Sequence, residues 1–245
     1  MKNDAALTRG QVALWNSAAF LLLLAFTHYT AQFLYPGVYY PAAGVQRLLL
    51  ITAITGMVIG PVLVAYLWVP GKKGLWLDMT VMALLQVTLW TACLWALYTQ
   101  RPVWLVFAID RFVVLRANEI DSNQLPESIP AHPKPGHPQL VFASQPDDKV
   151  LKEKIMFEAS GGGADIERYP ALWSLPTATS LQSIHDAQSA SIAYYGNDVA
   201  IHDELLLIGS KNDLLVYWDA QLQRITRWRH EPSPAFPVPD DKITP

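Results

Sequence analysis

The sequence predicts a membrane protein in two parts: an α-helical N-terminal bundle of three spans, then a small α+β domain with an antiparallel sheet. Three observations predict it. Charge is unevenly distributed: residues 10–100 hold only Arg47, Lys72, Lys73 and Asp78, whereas residues 101–245 carry mixed charges like an ordinary soluble domain. Three long apolar runs fall in the first half. The second half contains short β-branched and aromatic runs at both ends with helical patterns between them, which reads as α+β. The division follows as 1–100 transmembrane, 101–230 a folded domain and 231–245 a proline-rich tail.

The apolar runs cover about 12–34, 48–69 and 77–98, each near the ~20 residues a helix needs to cross ~30 Å of hydrocarbon. In lipid the backbone of such a run satisfies itself only as a helix. Tyr35, Tyr39, Tyr40, Trp68, Trp76, Trp95 and Tyr98 gather near the ends, where rings favour the headgroup level. The turn VPGKKGLW (69–76) joins spans two and three and holds Lys72 and Lys73. Short-loop lysines stay cytoplasmic, and Lys2 and Arg9 precede span one, so the N-terminus is expected inside. The loop 35–46 lacks Lys and Arg and suits the outside; Arg47 and Arg101, at outer ends, oppose this orientation but are outnumbered. The third span then delivers residues 101–245 to the far side. A cleaved signal peptide is the rival reading of span one, but Thr27-His28-Tyr29-Thr30 offers no small-residue cleavage site.

Cys93, the single cysteine, lies inside span three, so the exported half has no disulfide and reads as depending on its own core. Cys93 reads as a small apolar filler. Asn16, His28 and Gln32 in span one, and Asp78 and Gln86 in span three, are the polar residues expected to face other helices. Asp78 opens a helix beside Lys72 and Lys73, which favours structural pairing over a proton relay with His28. Gly60-Pro61 is expected to kink span two or to allow a close helix contact.

Pro102 ends span three, and VWLVFAIDRFVVLRA (103–117) reads as one long strand or a hairpin broken at Asp110-Arg111. Five prolines in 122–138 forbid helix there. Strand returns at 139–143; helices are expected at 147–159, 165–172 and 179–195, and strands at 204–208, 214–218 and 224–228, the last two as a hairpin. Gly161-Gly162-Gly163 lacks the strand and the Gly-Lys-Ser/Thr context of a phosphate cradle and reads as a turn.

Chemistry is sparse. The pairs His185-Asp186 and His202-Asp203 would suit a metal site or an acid–base dyad, but no third ligand stands at a suitable spacing. No nucleophile-elbow, zinc-protease or Walker pattern occurs. With a net charge of −3 and no basic patch, nucleic-acid binding is not expected; neither is a cofactor, a metal or a small-molecule substrate. The residues alone leave open an envelope enzyme using the His–Asp pairs, a membrane sensor or assembly scaffold and, more distantly, a proton or ion transporter.

The stretch from Gly60 to Asp121 resembles the type IV pilin accessory protein family (Tfp X/Z type). The matching residues are Gly60, Pro61, Lys72, Lys73, Asp78, Gln86, Tyr98, Arg101, Pro102, Phe107, Asp110, Arg111 and Phe112. Gly56 departs from the family, which often places an acidic residue four positions before its Gly-Pro. The resemblance implies a chaperone-like, non-enzymatic protein in the inner membrane of a Gram-negative bacterium, with a periplasmic C-terminal domain. It implies that such a protein binds the type IV major pilin and supports its stability, assembly into pili or pilus dynamics. Gly60, Pro61, Asp78, Gln86, Arg101, Pro102, Asp110, Arg111 and Phe112 become partner-binding candidates on that ground. A sheet edge or the proline segment would meet the pilin head, by strand addition in one version.

Overall fold

The computed structural model describes residues 7–131, 133–163, 165–195 and 204–230, with backbone only for 191–195. The chain forms two compact units: Met1–Val103 with Arg116–Glu119 and Pro133–Pro138, and Trp104–Leu115 with Ile120–His132 and Gln139–Pro245.

The first unit is helical. Helix α1 (Arg9–Leu34) starts at a capping box: Thr8 Oγ1 accepts from the Gln11 backbone N–H, and Gln11 Oε1 accepts from the Thr8 N–H at 2.9 Å. A short helix α2 (Tyr39–Ala42) follows. The second long helix is composite: α3 (Val45–Ile54), one π-helical turn at Thr55–Ile59, then α4 (Gly60–Leu67). Pro61 explains the π turn, because it has no N–H to donate to the Met57 carbonyl and its ring crowds that carbonyl. Helix α5 (Leu75–Thr99) completes the unit. The connection to it turns on Gly71 (φ 81°) and Gly74 (φ 87°), both left-handed, which the VPGKKGLW stretch supplies at no steric cost.

Arg9–Leu34, Val45–Leu67 and Leu75–Thr99 are each long and apolar enough to cross a membrane. Their outward faces are apolar too: Leu22, Tyr66, Trp76 and Trp95 are each more than two-thirds exposed. Water would not tolerate a surface of this kind, whereas hydrocarbon does. Inside, Ala31, Leu34, Tyr35, Val45, Leu49, Cys93 and Leu97 form one buried cluster, in which Cys93 is a packed filler next to the Thr52 hydroxyl.

Among the described residues the second unit holds a seven-stranded sheet with the order β4-β3-β1-β2-β5-β6-β7. Strands β1 (Pro102–Ala108) and β2 (Arg111–Arg116) settle the question left open at 103–117: the chain breaks at Ile109-Asp110 into a hairpin. The remaining strands are β3 (Gln139–Ala143), β4 (Trp173–Ser174), β5 (Glu204–Ile208), β6 (Leu214–Asp219) and β7 (Arg224–His230). Helices α6 (Lys149–Ser160) and α7 (Ala178–Tyr195) lie between them. The region expected as one helix at 165–172 is instead two 3₁₀ turns, Ile166–Arg168 and Pro170–Leu172, because Pro170 cannot continue a helix from Ile166.

The expected antiparallel sheet is in fact mixed. Antiparallel pairs join β3 to β4, β5 to β6 and β6 to β7, but β1 pairs parallel with β3 and β2 parallel with β5. Parallel neighbours need long crossovers. The proline segment supplies the first, returning the chain so that Trp104 faces Gln139, and the α6–α7 region supplies the second. All seven residues of β1 are buried, so both its faces are covered, whereas β5 and β6 alternate buried and half-exposed positions. The core of this unit is aromatic: Phe107 contacts Phe112 and Phe142 at 5.1 and 5.6 Å between centroids, and Phe112 stacks on Trp218 at 5.5 Å.

Candidate functional site

In the helical unit the polar side chains converge. Asn16 on α1 and Gln86 on α5 exchange two amide hydrogen bonds, Asn16 Nδ2 to Gln86 Oε1 at 3.1 Å and Gln86 Nε2 to Asn16 Oδ1 at 3.3 Å. Gly60 is the floor beneath them. A Cβ at that position would lie 2.7 Å from Gln86 Nε2 and 3.3 Å from Asn16 Oδ1. The glycine therefore admits a three-helix polar node inside an apolar bundle, where small residues let backbones approach. One turn earlier, the Phe20 ring lies directly on Gly56, where a Cβ would meet its carbons at 1.8 Å. The position that is often acidic in the resembled family thus seats an aromatic ring here. A cavity of about 190 Å³ opens beside Gly56 and Gly60, lined by Phe20, Gln86 and apolar residues of both neighbouring helices.

The ends of the bundle are tied by polar contacts. Arg9 Nε donates to the Trp68 carbonyl at 3.0 Å, and Trp68 Nε1 donates to the Leu7 carbonyl at 2.9 Å. Lys72 Nζ pairs with Asp78 Oδ2 at 2.5 Å. Arg9, Lys72 and Asp78 thus mark one end. At the other, the Tyr35 hydroxyl donates to the Leu97 carbonyl at 2.9 Å; burial pushes its pKa up against the opposing pull of Arg116 and Arg101, so it stays a neutral donor. Arg101 caps the end of α5, donating to the Tyr98 carbonyl at 2.7 Å with its guanidinium 4.1 Å from the Tyr98 ring centroid. Pro102 next to it is buried at the start of β1. Gln32 does not face another helix as expected and lies exposed near the C-terminal end of α1; His28 is exposed there too, but its ring stands edge-on to Tyr40 of α2 with Nδ1 3.4 Å from the Tyr40 hydroxyl. His28 and Asp78 therefore sit toward opposite ends of the bundle and form no relay.

In the sheet unit, Asp110 lies in the β1–β2 turn, its N–H held by the Ala108 carbonyl at 2.7 Å. Ile109 next to it has φ 60° and is 57% exposed, a strained position for a β-branched residue. Arg111 Nη2 pairs with Asp165 Oδ2 at 2.8 Å. Phe112 is fully buried and offers no surface to a partner. His185 and Asp186 are both exposed on α7, with Asp186 accepting from Gln182; His202 and Asp203 lie outside the described residues. Among the described residues no three His, Cys, Asp or Glu side chains stand close enough to hold a metal.

Sequence reasoning missed Glu167. It is only 9% exposed, and its Oε2 has no hydrogen-bond partner among the described residues. Burial pushes its carboxyl above the usual range, with Asp165 adding to the rise; its own backbone N–H, Arg111 and Arg168 pull it back. The folded state therefore holds the proton more tightly than the unfolded chain. The resulting stabilisation is complete below about pH 4.5 and is lost as pH rises through the folded-state value. Glu167→Gln is expected to raise the unfolding midpoint near neutral pH by the equivalent of about 1–2 kcal/mol and to change little in acid. Thermal unfolding of both proteins across that pH range checks it.

The amide node gives a second test. Asn16→Leu strands Gln86 in an apolar setting and is expected to cost about 1–2 kcal/mol, whereas the Asn16→Leu/Gln86→Leu double variant costs no more than the single. A double-mutant cycle in bicelles, read by denaturant-driven unfolding, measures it.

Two curated relatives match part of the chain. "Fimbrial assembly protein, serogroup I" of Dichelobacter nodosus is 28% identical over 144 residues, 57% of this chain and 55% of the relative. "Fimbrial assembly protein, serogroup E1" of the same organism is 27% identical over 144 residues, with the same coverage. The matched region thus spans about half the length of these relatives. No protein-family model matches the chain, and no solved structure does. Over that region the chain is similar to these fimbrial assembly proteins, and among the described residues it has three helices long and apolar enough to cross a membrane.

Proposed function

We propose that this chain is a non-enzymatic, chaperone-like factor of the inner membrane that binds a type IV pilin and supports its stability or its assembly into pili. The observation that carries the reading is the similarity to fimbrial assembly proteins, in a chain that joins three apolar helices to a folded sheet unit. In this reading the N-terminus is cytoplasmic and the sheet unit periplasmic. The grouping of Arg9, Lys72 and Lys73 toward one end of the bundle supports that orientation, because basic short-loop residues stay inside. A pilin awaiting assembly keeps an apolar helix in the bilayer and a globular head outside, and a two-part partner can meet both. Gly60 and Gln86 already serve the bundle's own packing, so contact with the pilin helix falls to the lipid-facing surfaces.

Deletion of the gene, with pilin abundance and surface pili measured together, tests the reading. Loss of pili is expected: with pilin also lost, the role is protection; with pilin retained, it is assembly. Unchanged pilin and unchanged pili overturn it. A reporter fused after Pro245 is expected to report the periplasm. Replacing His185 and His202 by alanine is expected to leave piliation intact, and loss of pili with the protein still folded would revive an enzyme.

A further inference from the structure

The two ends of the sheet are unlike. Strand β4 closes one end with only two residues, Trp173 and Ser174. Among the described residues strand β7 ends the other with seven, so alternate backbone N–H and C=O groups along it turn away from β6. A register shift opposite Tyr217/Trp218 bulges the strand at Thr226 and leaves Arg227–His230 as its regular stretch. The side chains sort by face. Arg227 and Arg229 lie opposite Tyr217 and Leu215 on the half-exposed face, while Trp228 lies opposite buried Val216 on the core face. Trp228 is nevertheless 45% exposed, because no further strand among the described residues flanks it.

Charge sets what fits there. Arg229 is neutralised by Glu204 at 2.7 Å. The Arg227 guanidinium stacks 4.3 Å from the Tyr217 ring centroid, and neither Arg227 nor Arg224 has an ion pair among the described residues. A second copy pairing through the same edge would set arginines against arginines, which like charges on adjacent strands disfavour. An acidic strand meets the opposite condition.

We propose that β7 is a docking edge for an extended acidic segment of a protein partner. The segment adds an eighth strand, with carboxylates beside Arg227 and Arg224 and alternate apolar side chains against Trp228. The edge and its preference stand on the sheet's own geometry; that the segment belongs to a pilin rests on the function proposed above.

The test uses the full chain in nanodiscs and fluorescent peptides read by anisotropy. The probes are a short peptide alternating glutamate with valine or threonine, its lysine counterpart, and the acidic peptide with two central residues replaced by proline. The acidic peptide is expected to bind about tenfold or more tighter than either comparator. Arg227→Glu and Trp228→Ala are each expected to weaken it severalfold, with Arg227→Gln intermediate and circular dichroism unchanged. No binding, equal binding of the lysine peptide, or full retention by the proline peptide overturns the proposal. So does self-association of the chain that acidic peptide fails to compete away. Because the probes contain no pilin sequence, failure here leaves the gene-deletion outcome untouched, and an unchanged piliation phenotype leaves the edge chemistry standing.

Discussion

Replacing Gly60 by leucine is expected to destabilise the helical unit strongly, by forcing apart its polar node. The Cβ alone would stand 2.7 Å from Gln86 Nε2 and 3.3 Å from Asn16 Oδ1, and the rest of a leucine side chain has no room between them. Either the two amides separate or α4 moves off α1. Overpacking of this kind costs about 1–3 kcal/mol. Losing the two amide bonds and leaving both groups in an apolar setting adds about 1–2 kcal/mol. Gly60→Ala is expected to cost less, because the nearest atom belongs to the end of a flexible glutamine. Thermal stability in detergent, leucine against alanine, checks the order; equal stability of both variants with wild type would show that the node does not constrain the bundle.

Phe112→Ala is the corresponding test of the sheet unit. Phe112 is fully buried, packs edge-on against Phe107 at 5.1 Å and stacks on Trp218 at 5.5 Å. It therefore links β1, β2 and β6 through one ring. Truncating a buried phenylalanine costs about 3–5 kcal/mol, a large share of the stability of a small domain. Loss of near-ultraviolet dichroism and increased proteolysis of the sheet unit are expected while the helical unit persists. The same substitution gives Phe112 a structural role, so a loss of pili in this variant would not identify a pilin contact.

The three long apolar helices were legible because an apolar run of that length, if it lies in lipid, must be a helix. The Gly71 and Gly74 turn, the Lys72–Asp78 pair and the filler role of Cys93 were legible for similarly local reasons. All the described strands of the second unit except the two-residue β4 (Trp173–Ser174) were legible as β-branched and aromatic runs, and so was the β6–β7 hairpin, whose partners lie close in sequence. What lay between distant segments was not. Nothing local to Trp104 announces Gln139 as its parallel neighbour, and nothing local to Arg111 announces Asp165.

Hydropathy and charge placement by themselves determined three membrane-fit helices, their tight basic turn and a mixed α/β segment after them, since each of these is fixed by residues near one another along the chain. Only the tertiary structure decided that the sheet is mixed, that Asn16 and Gln86 meet over Gly60, that Glu167 is buried and that β7 is the last strand of the sheet among the described residues. The physical reason is that pairing, burial and edge position depend on which remote segments come into contact, and chain-local pattern carries no term for that contact.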